Sequence, residues 1–319
     1  MPAPHISAPA RIADAVRAVI AGDDITTAAA RAGLTSGDLA DAADAYHLGG
    51  VVALERRYTD RWHQVRVRPV DRDAAEQTMS TIVGPRLDLL VETSDASGWW
   101  FMRKEPGWRI RLHDADSAAA ELLFNELVRD GTIAAWNPAI YEPETAAFGG
   151  DTGTGITHDL FQADTRGLLD YLRRESPPLG RREMSLVLIS AMLKAAGLDW
   201  FERGDVFFHV TTMRPPPDLG PAALTELTEQ LGDLLSVAPA AESPLFAPGA
   251  PVAFASDWRS AFEEAGQRYA AAASSGTLTR GLRAVLAHVL IFHWNRLGLP
   301  AATQAILARA AANACLSGD

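Results

Sequence analysis

The sequence predicts an α+β protein: an N-terminal helical module, then a mixed or antiparallel sheet with flanking helices, then a mainly helical C-terminal half. Three observations carry that expectation. Residues 1–57 are Ala-rich with apolar residues at helical spacing, and four short runs between 61 and 141 have strand character with helical patterns between them. Beyond 157, long helical patterns are broken by Pro-rich stretches.

In the module, Ile12, Val16, Val19 and Ile20 form one apolar stripe, and Leu34, Leu39, Ala43 and Tyr46 supply others. Gly22 and Gly33 suit helix ends, and Thr35 or Ser36 suits an N-cap. Thr26–Thr35 resembles the first helix and turn of a helix-turn-helix, but the next helix carries Asp38, Asp41 and Asp44. Three carboxylates facing phosphate are repulsive, so the module reads as a helical docking unit, not a DNA reader.

From 58 to 319 a second domain is expected. Trp62–Arg68 alternates apolar and polar residues as a half-buried strand does, and 73–92 reads as a helix. Trp99–Lys104 and Trp108–Leu112 read as strands joined by the turn Glu105-Pro106-Gly107. A helix over 116–130 and an extended segment from Ile133 to Tyr141 complete a ferredoxin-like order. Helices are then expected over 157–175, 181–197, 257–274, 277–295 and about 300–315. Phe207–Val210 is too short to assign, and 214–221 and 239–251 read as loops.

The chain has 319 residues, 48% hydrophobic and 22% charged, enough for a full core. Its net charge of −11 argues against nucleic acid as a direct partner. Cys315 is the only cysteine, which suits a reducing compartment and rules out an internal disulfide. With no signal-like N-terminus and no bilayer-length apolar run, a cytoplasmic protein without membrane contact is expected. His63, His113, His158 and His209 lack metal-ligand spacing, and phosphate-loop, nucleophile-elbow and dinucleotide motifs are absent, so neither metal nor cofactor is expected.

Three constellations carry candidate chemistry. Arg109 and Arg111 are two apart on a strand, so both guanidiniums point to one face and suit a single anion or carbonyl, while Trp108, Ile110 and Leu112 bury the other. His293 and Arg296 share a helix face, where a neighbouring Arg disfavours a charged imidazole and leaves it able to act as a base; His288 is expected to pack against the core. Tyr141-Glu142-Pro143-Glu144 leads into Phe148-Gly149-Gly150, and its carboxylates suit either a cationic or amide group of a ligand or ion pairs with Arg109 or Arg111.

Five stretches together resemble the C-terminal domain of lantibiotic dehydratases and its stand-alone thiopeptide-type relatives. They are Trp62–Val65, Trp108–Leu112, Tyr141–Gly150, His158–Asp164 and His293–Gly298, in the family's order across about residues 58–300. The resemblance implies maturation of a ribosomally made peptide antibiotic, with a modified precursor peptide (leader plus core) as partner. Arg109, Arg111 and His293 match family residues, and Tyr141 joins them as a catalytic candidate. Glu142, Glu144, Arg296 and Trp108 are the substrate-binding candidates.

Two reactions are implied by the resemblance. One is removal of glutamate from glutamylated Ser or Thr, alongside a separate glutamylating dehydratase subunit. The other joins two dehydroalanines in a formal aza-[4+2] cycloaddition, with loss of water and leader peptide giving a pyridine. Dehydratase domains carry an Arg before the motif's aromatic residue, where this chain has Ala147 before Phe148. Losing that cation disfavours elimination, which needs positive charge on the enolate and the departing glutamate. The stand-alone length points the same way, so the pyridine synthase is the expected function. A non-catalytic subunit that presents the peptide through residues 1–57 is the alternative from a different class.

Overall fold

A computed structural model of the chain describes residues 8–59, 61–215, 217, 220–236 and 244–316. The expected loop residues 216, 218, 219 and 239–243 lie outside that set. The chain divides between Arg61 and Trp62 into two compact units.

The first unit holds α1 (Ala8–Ile20), α2 (Ile25–Ala32) and α3 (Ser36–Thr59) around Val16, Ala28, Ala29 and Leu39. Asp24 caps α2 by accepting from the Thr27 N–H, and Gly33 closes it in the left-handed conformation. Thr35 caps α3 by accepting from the Asp38 N–H at 3.1 Å. The short turn Gly33–Thr35 joins α2 to α3, and Asp38, Asp41 and Asp44 stand exposed on α3.

The second unit opens with β1 (Trp62–Pro69), α4 (Ala75–Thr78), a π-turn at Met79–Val83, α5 (Gly84–Glu92), β2 (Gly98–Lys104), β3 (Gly107–His113), α6 (Ser117–Arg129) and β4 (Ile133–Ala139). The strands form one antiparallel sheet in the order β2-β3-β1-β4, the ferredoxin-like arrangement. Register assigns each side chain to a face. Val65, Val67, Trp99, Phe101, Trp108, Ile110 and Leu112 lie on one, with Trp99 donating to Asp88 of α5 and Trp136 to Asn125 of α6. Trp62, Gln64, Arg66, Arg68, Trp100, Arg109 and Arg111 lie on the other.

Helices α7 (Asp151–Leu172), α8 (Arg181–Ala195), α9 (Trp200–Met213), α10 (Pro221–Ser236), α11 (Ser256–Ser274), α12 (Leu282–Leu297) and α13 (Ala301–Leu316) follow. Four differ from expectation, α10 being a helix that the sequence pattern did not announce. Phe207–Val210 lies inside α9, which starts at a capping box formed by Asp199 and Glu202. α7 begins six residues early, at Asp151, because Gly150 ends the preceding turn at φ 93° and Gly153 and Gly155 continue as helix. α12 starts at Leu282, not 277, because the Thr279 N–H leaves helical bonding to donate to Gly149 O at 2.9 Å.

One clamp ties the helices to the sheet. Glu76 pairs with Arg103 and Arg181, whose guanidiniums also donate to the last carbonyls of α12, Arg296 O at 2.7 Å and Leu297 O at 3.1 Å. At Gly153, the chain passes so close that a Cβ would lie 1.8 Å from the Phe148 carbonyl oxygen.

Gly153→Ala is therefore expected to cost about 1–3 kcal/mol, the usual penalty for overpacking. Gly155, with nothing within 4 Å of its would-be Cβ, is expected to gain up to about 1 kcal/mol on substitution by Ala from helix propensity. Urea denaturation of the two single variants checks both signs.

Candidate active site at the sheet–helix junction

Where β1 and β3 run side by side, the face not covered by α5 and α6 carries an aromatic box. Trp62 contacts His158 at 4.6 Å and His113 at 4.6 Å between ring centroids, and Trp100 and Tyr141 each meet its ring edge-on near 6 Å. Arg111 lies inside the box, its guanidinium 4.1 Å from the centroid of Trp100 and 4.6 Å from that of Tyr141. Gln64, its neighbour across β1, accepts from Arg111 Nε at 2.8 Å and donates to Ile140 O at 2.7 Å. That pair orients Arg111 and leaves its Nη1 buried without a partner. Burial, with the like charges of Arg109 and Arg296, pulls Arg111 down to about 10, still charged at neutral pH.

Tyr141 follows β4, and its hydroxyl lies 2.7 Å from Nε2 of His158 on α7. Both groups are buried. Burial raises the phenol, against the pull of Arg111, and drives His158 down to about 3, with Arg111 and His113 adding repulsion. At neutral pH the pair is an uncharged phenol on an uncharged imidazole. The phenol can donate to Nε2 in one tautomer or accept from it in the other.

Behind Trp100 lies a second network. Asp164 of α7 is 1% exposed and accepts four contacts: His293 Nδ1 at 2.9 Å to each oxygen, Arg296 Nε at 3.0 Å and Trp258 Nε1 at 2.8 Å. Burial alone would raise this carboxyl, but His293 and Arg296 outweigh it and hold Asp164 below the usual range. Arg296 lies 4.1 Å over Phe161 and 5.7 Å from Trp100, with both Nη atoms buried and unpartnered. Free guanidinium nitrogens of Arg111 and Arg296, together with Trp100 Nε1, thus converge on one aromatic wall. Unpaired buried donors are costly, and such a group suits carbonyl or carboxylate oxygens of a bound ligand.

The sequence candidates separate in space. Arg111, Tyr141 and Arg296 gather at this wall, and Arg109 stands half-exposed next along the same face. His293 and Arg296 do share a helix face, but Asp164 sits between them, so His293 is fixed on a carboxylate with its ring 1% exposed and Nε2 unpartnered. Trp108 belongs to the core: the alternation that aims Arg109 and Arg111 one way aims Trp108 the other, against Phe101 at 4.7 Å.

Glu142 and Glu144 are exposed. Glu144 acts on Arg111, Tyr141 and His288 through its charge. Gly149 and Gly150, at φ 84° and 93°, shape the turn that lets Phe148 pack edge-on against Phe161 and Phe292. Gln64, His158 and Asp164 have no role in the sequence reading beyond their place in the stretches that resemble the family, and Trp100 none beyond its strand; only the fold pairs them. His288 is half-buried, with Nδ1 near Ala284 O at 3.2 Å. Among the described residues no three His, Cys, Asp or Glu side chains cluster to hold a metal ion, and no helix is long and apolar enough to cross a membrane.

An antiparallel ferredoxin-like sheet with a helical array against one edge and a buried arginine site at their junction defines the class. The chain belongs to the lantibiotic biosynthesis dehydratase C-terminal family, whose profile matches residues 62–315. No curated protein matches the sequence. Among solved structures, the fold is similar to the tRNA-dependent lantibiotic dehydratase MibB from Microbispora sp. 107891, at 20% identity and a TM-score of 0.57 over 81% of this chain. This chain spans only 28% of MibB. It is also similar to TsrL, at 17% identity and a TM-score of 0.53 over 79% of this chain and 94% of TsrL. The pyridine synthase TbtD from thiomuracin biosynthesis matches at 17% identity and a TM-score of 0.53, over 81% of this chain and 98% of TbtD.

Replacing Asp164 by Asn leaves Arg296 buried without a counter-charge, so Asp164→Asn is expected to destabilise the fold by about 3–5 kcal/mol. The native carboxyl lies below its unfolded value. Its contribution is therefore present above about pH 4, where the unfolded carboxyl ionises, and is lost as pH falls through the native value. Chemical denaturation from pH 7 to pH 3 is expected to show this acid loss in the parent and its reduction in Asp164→Asn.

Proposed function

We propose that this chain is an enzyme of ribosomal-peptide antibiotic maturation that closes a six-membered nitrogen heterocycle from two dehydroalanines of a precursor peptide. The observation that carries the reading is the buried Tyr141–His158 contact at 2.7 Å beside the free Nη1 of Arg111. A formal aza-[4+2] closure needs one peptide amide to present its imidic tautomer and the two alkenes to be held in contact. Orientation supplies most of the acceleration in such a step. Arg111 donates a hydrogen bond to the amide oxygen as it becomes the imidic oxygen. Tyr141 gives that oxygen its hydroxyl proton and is reprotonated from His158 Nε2–H, and the amide N–H proton is taken up at His158 Nδ1, so no charge is separated overall.

Arg296 holds a second carbonyl against the Trp100–Phe161 wall, while Asp164 and His293 fix Arg296. Glu142 and Glu144 accept N–H groups of the peptide at the rim. Loss of water and of the leader segment then gives the aromatic ring. In this reading the partner is the modified precursor peptide, and the protein works in the cytoplasm.

One observation favours glutamate elimination instead. Arg280, just before α12, donates Nη1 to the Ala147 carbonyl at 3.3 Å, bringing a cation to the place where the motif lacks one. Elimination would use Arg280 and Arg111 for the departing carboxylate, with a separate glutamylating subunit as partner.

The two readings part by mass. A bis-dehydroalanine precursor is expected to lose water and leader, and a glutamylated precursor to stay unchanged; loss of glutamate from the latter would overturn the assignment. Tyr141→Phe, which keeps the packing and removes the hydroxyl, is expected to lower turnover about a hundredfold or more.

A further inference from the structure

Along the open face of the sheet, Arg111 is the buried end of a line of arginines. Arg66 on β1 lies directly opposite Arg109 on β3, and Arg68 is next on the same face of β1. Arg66 and Arg68 are exposed and Arg109 half-exposed, and the neighbours Ala135 and Asn137 of β4 are short and uncharged. None of the three arginine side chains has an ion pair or hydrogen bond among the described residues. Like charges directly opposite on a sheet repel, and among the described residues no carboxylate pairs with them. Elsewhere the acidic chain pairs its arginines freely, as at Arg86–Asp130 and Arg174–Asp170.

We propose that this face binds an acidic, extended stretch of the peptide substrate and leads it to Arg111. The proposal rests on the reading that the chain acts on a peptide, and adds how that peptide is recognised. Residues two apart on a strand are spaced about 6.8 Å, the spacing of alternate side chains in an extended peptide. Glutamates or aspartates two apart therefore meet Arg68 and then the Arg66–Arg109 cross-strand pair. Short polar neighbours leave room for a backbone to lie across the strands. Nucleic acid fits less well, since the strip offers three cations without an exposed aromatic on which a base stacks.

The probe is a fluorescent ten-residue peptide with Glu at alternate positions, with a Gln-for-Glu copy and a single-stranded oligonucleotide of equal charge as controls. Fluorescence anisotropy is expected to show salt-sensitive binding of the Glu peptide. Binding should weaken about fivefold in Arg68→Gln and tenfold or more in Arg66→Gln/Arg68→Gln, the scale of one and two exposed ion pairs. Equal binding by the parent and the double variant, equal binding of the Gln copy, or tighter binding of the oligonucleotide would each overturn the proposal. Circular dichroism of both variants verifies folding, and the exposed Arg68→Gln stands alone if the double variant misfolds. With a precursor that carries the acidic stretch, the double variant is expected to raise KM and keep kcat. Peptide binding without turnover of any precursor would remove the ring-closing assignment and leave the docking face; turnover with charge-independent binding would do the reverse.

Discussion

The carboxylate of Asp164 is the point on which the helical half of the domain is set. It receives donors from α12 twice and from α11 once, so three helices meet at a single buried charge. An ion in the interior costs several kcal/mol in desolvation, and the network offsets that cost only when every contact is made. Its chief product is geometry. With Nε of Arg296 tied to Asp164 and the end of α12 held by Arg103 and Arg181, the remaining guanidinium nitrogens must lie over Phe161 and beside Trp100. Trp100 in turn carries Arg111. A constraint in the helices thereby reaches the strand that faces the ligand.

Charge is then distributed unevenly in a useful way. Two buried cations with free donors flank an aromatic wall, and the acid–base pair next to them, Tyr141 and His158, is uncharged. The same low-polarity surroundings that strip His158 of its proton strengthen each hydrogen bond donated to a carbonyl oxygen. Such a site suits a reaction that redistributes protons around an amide and asks for little net charge movement. Towards solvent the arginines of the sheet become half-exposed and then exposed, so the field grows weaker and more salt-sensitive with distance from Arg111.

Much of this was legible in the residues. Strand alternation placed Arg109 and Arg111 on one face with Trp108, Ile110 and Leu112 on the other, and the order of elements forecast the ferredoxin-like sheet. Period-two reasoning names a face but not what covers it. It did not foretell that α7 and Tyr141 would close over Arg111 while Arg109 stayed half-open, nor that Trp108 was committed to the core. The partnership of Asp164 and His293 spans 129 residues, and no local pattern announces it. The helix was expected to start only after the glycines of 149–155, yet Gly153 is a close-packing site inside α7.

The central claim is that a neutral imidazole stands behind Tyr141. The direct measurement is nuclear magnetic resonance of the His158 ring, with the resonance assigned through His158→Gln and followed across pH. The account predicts a ring that stays uncharged from pH 8 down to about pH 4, with its nitrogens reporting the bond to Tyr141. A ring that titrates near the ordinary histidine value of about 6.5 would contradict it, because the site would then hold two adjacent cations and no uncharged acceptor for the amide proton.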